Sequence, residues 1–551
     1  MIAKTKKKQP ALVAIAMALS ISSLAADETT PKSPPQELLK AIPIGSDLQL
    51  MADRTLSGSF SGTASLRLGQ PLLKETVIES DTPVDGRAFF ISAIYQHEGK
   101  YHMLYRGSAR TKDGRLGGVY LCLATSEDGI KWQKPNLGLV EHEGNKNNNL
   151  VAYEDGKKVG WSFGFYDPRP GIPANERVKA FSMRTPPGEK FLRPFIIGSA
   201  DGRVWHNVDV KPDLECHWPN AFDAGTLFWS EAEKAFVAYF RFWENKPGEA
   251  PQPPQPVDDW MIRGPGVRSV FRATSPDLIK WTKPEKMDFG NTAREHIYEC
   301  NTAPYFRSPN VYISLANRLN PGQRAMTLEE ERKANLLKET TSYITTPTYT
   351  FASDANDVVL MVSKPGSLTY DRPFMEALLR PGVEVQNWSS RNNYPNRFGG
   401  VIQTSPTEMS FFVTRHHMQN TNHIQRVAMR LDGFASVNAG YNGGEYITKP
   451  FTYKGDHLNV NFSTSGVGSI RVEIQEAHLD QPQLYGRPLP GFTLEDSDPL
   501  IGDRIQQTVS WHGKQSLAQY VGKSIRLRFK LVDADLYSFQ FSDPVASEAG
   551  K

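Results

Sequence analysis

The sequence predicts an all-β protein, a five-bladed β-propeller followed by a β-sandwich. Three observations predict it. A phrase recurs: Ala124-Thr125-Ser126-Glu127-Asp128-Gly129-Ile130-Lys131-Trp132 returns as Ala273-Thr274-Ser275-Pro276-Asp277-Leu278-Ile279-Lys280-Trp281, with a degenerate copy, Gly198 to Trp205, between them. Each copy ends a run of strand-like segments, as one supersecondary unit used repeatedly would. From Asp81 onward, apolar and alternating runs of strand length are punctuated by turn residues such as Glu98-Gly99. After Gly443 the strands continue but the phrase does not.

The elements follow in chain order. Residues 1–25 have the layout of a secretory signal peptide: four lysines between Lys4 and Lys8, an apolar stretch from Ala11 to Leu24, and Ser23-Leu24-Ala25 as a small-residue cleavage site. That stretch is too short to span a membrane stably, and no later segment resembles a span. The mature protein is therefore expected in a periplasm or outside the cell. Residues 26–80 read as an irregular leader, with Pro31 to Pro35 flexible and a short helical patch near Glu37 to Ala41.

Residues 81–443 divide into five units. The first holds Ala88 to Tyr95, the alternating Lys100 to Arg106, Val119 to Ala124, and the closing Ser126 to Trp132; four short antiparallel strands are the content of one blade. The second runs from about Val159 to Val208, beginning with Trp161 to Tyr166, and the third from about Phe222 to Pro284, with a Pro-rich loop at Pro251 to Pro256. The fourth covers about Glu295 to Pro373 and is interrupted by Met326 to Glu339, a charged helix-forming stretch expected outside the blade. The fifth covers about Trp388 to Arg430. Residues 444–551 read as a separate β-sandwich, with an acidic loop from Gly491 to Asp503.

Composition narrows the function. The 551 residues are 22% charged and net +3, which does not indicate a generalised polyanion-binding surface, so no nucleic-acid partner is expected. Aromatic residues reach 11%, with 10 tryptophans, which fits β-rich core packing and, in a cleft, sugar stacking. Cys122, Cys216 and Cys300 have neither the spacing of a metal site nor the number of a disulfide framework. There is no phosphate-binding loop, dinucleotide fingerprint or Gly-x-Ser-x-Gly elbow. Nothing in the chain indicates an oligomeric state.

Lys100-Tyr101-His102-Met103-Leu104-Tyr105 after a hydrophobic strand, with Ser-x-Asp-x-x-x-Trp closing a blade, resembles the five-bladed propeller glycoside hydrolases of families 32 and 43. The propeller-then-sandwich plan is similar to family 32. The resemblance implies one carboxylate at the start of the innermost strand of each of three successive blades. Asp167-Pro168 is similar to the second-blade Asp-Pro, which assists the transition state and does not attack. The first-blade Asn-Asp-Pro-Asn-Gly is missing, and Asp85-Gly86-Arg87 is the nearest candidate. The third-blade Glu-Cys pair is absent from the third unit, where Asp223 takes the comparable place; Glu299-Cys300 occurs in the fourth. A distant member acting on sugars other than fructosides is implied. Some relatives hold an axial calcium ion, but no ligand set in this chain supports one, and no cofactor is expected.

Glycoside hydrolysis needs two carboxyl groups facing across the bond, one protonated to assist the leaving oxygen and one to attack or activate water. Carboxylates converging on a low-dielectric axis repel, which keeps one protonated near neutral pH. Asp85 is the candidate base or nucleophile, or else a turn aspartate. Asp167 is the candidate transition-state carboxylate, or a turn former before proline. Asp223 is a candidate acid, or a cap. In Arg294-Glu295-His296-Ile297-Tyr298-Glu299, strand alternation places Glu295, Ile297 and Glu299 on one face and His296 and Tyr298 on the other. Glu295 is a candidate acid/base and His296 and Tyr298 candidate substrate contacts, unless this is a satisfied polar strand end. Arg87, Asp371, Arg372, Trp388, Arg391 and Asn392 complete the candidate sugar contacts, Arg372 because guanidinium binds planar anions bidentately. A structural ion pair of Asp371 with Arg372 is the preferred alternative. His416, His417 and His423 lack the pattern of a catalytic zinc.

The expected activity is that of an exported glycoside hydrolase on an oligo- or polysaccharide. Insertions at Pro251 and Met326 that close one end of a pocket would make it exo-acting. A non-catalytic glycan-binding propeller is one alternative. A lyase on uronic or sulfated sugars, using His296, Tyr298 and arginines, is the other.

Overall fold

Five antiparallel sheets follow one another along the chain, and their first strands form a ring. The computed structural model describes residues 40–108, 118–160, 162–184, 193–208, 212–214, 225–244, 267–334, 336, 352, 354–477 and 482–543. Blade one is Phe90–His97, Lys100–Gly107 and Tyr120–Ser126. Blade two is Ser162–Tyr166, Val178–Arg184, Arg193–Ser199 and Val204–Asn207. Blade three is Thr226–Ser230, Ala235–Glu244, Val267–Ser275 and Glu285–Lys286. In blade four an inner edge made of His296–Glu299 and Thr302–Tyr305 pairs with Ser308–Pro321, which pairs with Asp354–Ser363. In blade five Tyr394–Pro395 and Ile402–Ser405 pair with Glu408–Arg415, and that strand with His423–Arg430.

Polar contacts join the inner strands around the ring. Ser92 Oγ donates to the Ser162 carbonyl (2.5 Å), Thr226 Oγ1 to the Thr302 carbonyl (3.1 Å), Asn301 Nδ2 to the Pro395 carbonyl (3.4 Å), and the Ile94 amide to the Phe398 carbonyl (3.2 Å). Blades two and three meet through the edge-on pair Phe165–Phe236.

The recurrent phrase is a self-capped turn. Ser126 Oγ accepts from the Gly129 amide, Asp128 Oδ1 from the amides of Ile130 and Lys131, and Trp132 Nε1 donates to the Gly129 carbonyl. Ser275, Asp277, Leu278 and Trp281 repeat every one of these bonds. Ser199, Gly202 and Trp205 keep the serine and tryptophan parts. The turn needs a left-handed residue, at φ 71° in Gly129 and 90° in Gly202; Leu278 accepts the same conformation at φ 71°. The tryptophans wedge between blades, Trp132 edge-on to Phe412 of blade five and Trp281 beside Phe181 of blade two.

Two expectations change. Residues 42–79, expected within an irregular leader, are strands. Leu72–Glu79 is the outer strand of blade five, antiparallel to His423–Arg430, so the N-terminal part of the chain closes the ring. Ile42–Gly45, Gln49–Leu50, Ser57–Gly62 and Ser65–Leu68 join the ten-stranded sheet of the second unit. That unit also begins before Gly444, because Ala435–Ala439 pairs with Ile525–Ser542. The early strands escaped notice because most of their side chains are exposed; their order comes from pairing with distant partners. The ten-stranded sheet is held together by the long strands His457–Glu476 and Ile525–Ser542 and wraps one core that includes Phe451, Phe529, Phe541 and Trp511. Asp432 ties the units together: it pairs with Arg307 and accepts from Tyr305 (2.6 Å), Asn461 (3.1 Å) and Ser538 (2.7 Å).

The charged insertion of blade four does contain a helix, Leu328–Lys333, started by a capping box of Thr327 and Glu330. Cys122 and Cys300 are buried free thiols. Among the described residues no helix is long and apolar enough to cross a membrane. The signal-peptide segment, Cys216, Asp223 and the Pro251 loop lie outside the described residues.

Candidate functional site

The inner strands all start at one end of the ring and finish at the other, and the two ends differ in chemistry. Blade two's inner strand starts at Ser162 and finishes at Tyr166, so Asp167 follows its finish, about 16 Å along the strand from its start. Tyr166 there faces Tyr95 and His97, which end the inner strand of blade one. Asp167 is fully buried and held twice, by Arg169 (Nη2 2.9 Å, Nε 3.0 Å) and by the buried Lys179 (Nζ 3.0 Å). Burial raises its pKa, but Arg169 and Lys179 outweigh this and leave it below the usual carboxylate range. Arg169 in turn lies over the rings of Trp229 and Phe236 in blade three. Asp167 therefore sits in a clamp between two blades, away from the end where the inner strands begin.

The starting end gathers aromatic rings and arginines from four blades. Phe90 of blade one and Tyr394 of blade five meet at 5.1 Å, and Tyr394 meets Tyr298 of blade four at 5.5 Å, both edge-on. Arg241 and Arg268 of blade three lie over Tyr298 at 5.0 and 5.2 Å. Arg106 of blade one and Arg397 of blade five lie over Phe90 at 5.2 and 5.5 Å. Arg397 is ion-paired with the fully buried Glu299. His417 packs against Phe90 at 4.8 Å, and its pKa falls well below the usual value through burial and the charges of Arg391 and Arg106.

Strand alternation fails here. A bulge between Ile297 and Glu299 shifts the register, so Glu295 and Glu299 take different partners. Glu295 pairs with Arg318 (2.6 Å) and Arg372 (2.7 Å), while Glu299 turns to Arg397. His296 Nδ1 accepts from the Arg268 amide (3.3 Å), which leaves the ring hydrogen of a neutral His296 on Nε2.

Of the sequence candidates, Tyr298, His296 and Arg391 belong to this gathering. Arg87 is buried beside it, its carbonyl accepting from Met418. Trp388 is half-buried, packs on the cluster of Ala88 and Met418, and donates to the Gly382 carbonyl. Asn392 is fully buried and structural: it donates to Ser389 Oγ (2.6 Å) and accepts from the His417 amide (2.9 Å). Asp85 is also fully buried, its oxygens occupied by the Tyr105 hydroxyl (2.9 Å), the Thr82 amide (2.9 Å) and hydroxyl (2.6 Å), and Lys134 (2.7 Å). Asp371 is bound by Arg54 of the second unit (Nε 2.8 Å), so it joins the two units. Arg372 is buried against Glu295. Glu295 and Arg372 line a groove between blades three and four, a cavity of about 220 Å³ that also touches Arg268. Among the described residues no three His, Cys, Asp or Glu side chains come together as metal ligands.

The sequence pattern did not single out Phe90, Arg106, Arg241, Arg268, Tyr394 or Arg397, and it named His417 only within a histidine group that lacks a zinc pattern. Glu299 had one signal, the Glu299-Cys300 pair, which was set aside because it falls in the fourth unit.

No protein-family model matches the chain, and no curated protein matches it. Similar solved structures include a glycoside hydrolase, 13% identical, covering 66% of this chain and 92% of that one with a TM-score of 0.37. Another is an N-acetylgalactosamine deacetylase from F. plautii in complex with blood group B trisaccharide, 11% identical, covering 68% and 97% with a TM-score of 0.37. A third is a glycosyl hydrolase from Bacteroides ovatus, 13% identical, covering 70% and 93% with a TM-score of 0.32.

Proposed function

We propose that this protein is a glycan-active enzyme, a glycoside hydrolase whose site lies where the five inner strands begin. One observation carries the reading: Phe90, Tyr394 and Tyr298 converge there from three blades, and Arg397, which lies over Phe90, is ion-paired with the buried carboxylate Glu299. Aromatic rings supply the apolar surface on which sugar faces stack, and the arginines supply donors for hydroxyl groups. Glu299 is the carboxyl assigned to the reaction. Its counterpart is Asp223, which precedes the start of blade three's inner strand by three residues in the sequence. One of the pair protonates the leaving oxygen, and the other attacks or activates water. An exported, exo-acting enzyme is part of this reading. Export follows from the N-terminal segment, and exo action from the blade-four insertion, whose Met326 packs on Ala88 and Met418 beside the site.

The test is incubation of the purified protein with a glycan panel and NMR of the products. A new reducing end is the expected result, and tight binding without turnover would sink the enzyme reading. Glu299→Gln is expected to slow turnover by roughly 10²–10⁴-fold with binding retained.

A second reading is favoured by a specific contact. Arg241 and Arg268 flank the Tyr298 ring, and His296 is held by the Arg268 amide. Guanidinium groups beside Tyr298 suit the carboxylate of a uronic sugar, with Tyr298 and His296 as the candidate proton-transfer groups for β-elimination. An unsaturated sugar among the products would decide for it.

A further inference from the structure

The groove between blades three and four opens beside the gathering of rings. Its cavity of about 220 Å³ is lined by Arg268 and Ser269 of blade three, by Phe289 and Thr292 of the connection between the blades, and by Glu295 and Arg372 of blade four. Arg268 also lies over the Tyr298 ring at 5.2 Å, and the buried Ile297 of the groove precedes Tyr298 in the same strand. A chain of sugars lying across Tyr298 therefore has the groove at its side. The volume is below the roughly 300–1,000 Å³ of sites that enclose drug-sized ligands, which leaves room for a single sugar ring. Phe289 is half-buried, backed by Tyr370 at 5.6 Å, and gives the wall an apolar patch.

The charges of the wall are matched. Glu244 holds Lys286 and Arg294, and Glu295 holds Arg318 and Arg372, so a neutral ligand suits the groove. One of these pairs is incomplete. Arg372 is 6% exposed, and its Nη2 stands 2.7 Å from Oε2 of Glu295, whose side chain is 21% exposed. The contact is close but misaligned: Arg372 Nη2, Arg372 Nε and Glu295 Oε2 all lack a hydrogen-bond partner among the described residues. Buried polar groups are nearly always paired, so such a set at the wall of a cavity marks a place where a partner arrives. It offers donors and an acceptor side by side. Two adjacent sugar hydroxyls are the complement, one accepting from the guanidinium and the other donating to the carboxylate.

We propose that this groove is a second sugar subsite, which holds one neutral residue of the glycan by a vicinal diol between Arg372 and Glu295, with Phe289 against its ring. The inference rests on the glycan reading above and holds for either chemistry, hydrolysis or elimination. An oligosaccharide is then held at two places, beside Tyr298 and in the groove, and one too short to reach the groove is held at the first alone.

The experiment is calorimetric titration of the full-length mature chain with the oligosaccharides of the glycan panel, each as a series of increasing length. The expected result is a step of roughly tenfold in affinity, about 1.4 kcal/mol, on adding the residue that reaches the groove. Ala293 is exposed at the rim, so Ala293→Trp fills the groove without disturbing the core; it is expected to abolish the step and leave the shorter oligosaccharides unaffected. Arg372→Gln is expected to remove the step as well. An oligosaccharide whose reaching residue lacks one of the two adjacent hydroxyls is expected to bind the unaltered protein without the step. If Arg372→Gln does not fold, Ala293→Trp and the deoxygenated oligosaccharide carry the test. A step that survives Ala293→Trp, or no step at all, overturns the subsite and leaves the glycan reading standing. Failure of every oligosaccharide to bind overturns both.

Discussion

Replacing Asp167 by asparagine removes the central anion of a clamp that holds two cations, one of which, Lys179, also has the Glu176 carboxylate at 3.5 Å. Asp167 is fully buried, and its partner Lys179 is 5% exposed. At separations near 3 Å and an effective dielectric of about 20, each pair is worth roughly 5 kcal/mol of direct attraction. Most of that offsets the cost of taking the charges out of water, and the measurable effect of breaking such a group is the buried cation left behind, about 3–5 kcal/mol. The expected outcome for Asp167→Asn is thus a loss of stability of about that size, with turnover or ligand binding kept wherever the variant remains folded. The assay is urea unfolding followed by tryptophan fluorescence, since Trp229 lies under Arg169 and reports on the clamp. The folded pKa of Asp167 lies below its unfolded value. Its stabilisation is therefore complete above the unfolded pKa of about 3.9 and is lost as pH falls through the folded value, so the variant and the original protein converge in acid. A variant that unfolds within about 0.5 kcal/mol of the original yet has lost its activity would refute this reasoning and return Asp167 to the chemistry.

Gly86→Ala is expected to destabilise the protein by about 2 kcal/mol or more in the same urea assay, because Gly86 has φ 63° and an added Cβ would stand 1.6 Å from the Ser108 carbonyl oxygen. His416 gives a pH signature: burial and the neighbouring His423 bring its pKa down to about 4, so the unfolded chain takes up a proton first. Stability should fall as pH drops from about 6.5 toward 4, and His416→Gln should flatten that part of the profile, measured as unfolding midpoint against pH.

Much of the propeller was legible because its cues are local. The turn built by Ser126, Asp128 and Trp132 is written within seven residues, and the alternation of Lys100 to Arg106 within another seven, so blade phase could be read directly. Leu72–Glu79 was not legible, since a mostly exposed strand is specified by its partner His423–Arg430 and not by its own pattern. The site was legible only in part. His296 and Tyr298 stood out as a dense polar run at the start of an inner strand. Asp167 reads as the second-blade Asp-Pro because an Asp-Pro after a strand and one before a strand look alike until the direction of Ser162–Tyr166 around the axis is known. Glu299 was masked by the bulge, which breaks the period of two on which face assignment rests. Arg106, Arg241, Arg268 and Arg397 come from separate blades, and nothing in any one segment announces their convergence.

The sandwich draws strands from both ends of the chain, and the propeller lies between them in the sequence. The last blade also waits for a strand from the beginning: Gln425 bonds to Lys74, 351 residues earlier, and Gln540 to Ser46, 494 residues earlier. The propeller cannot be finished before His423–Arg430 is made, nor the second unit before Ile525–Ser542. Large loops must close before these contacts are gained, which makes completion slow and late. Premature closure is disfavoured for the same reason: a chain emerging from its N-terminus holds strands whose partners, from His423–Arg430 to Phe451–Tyr453, are made hundreds of residues later, and Gln49–Leu50 waits for the final strand, Ile525–Ser542.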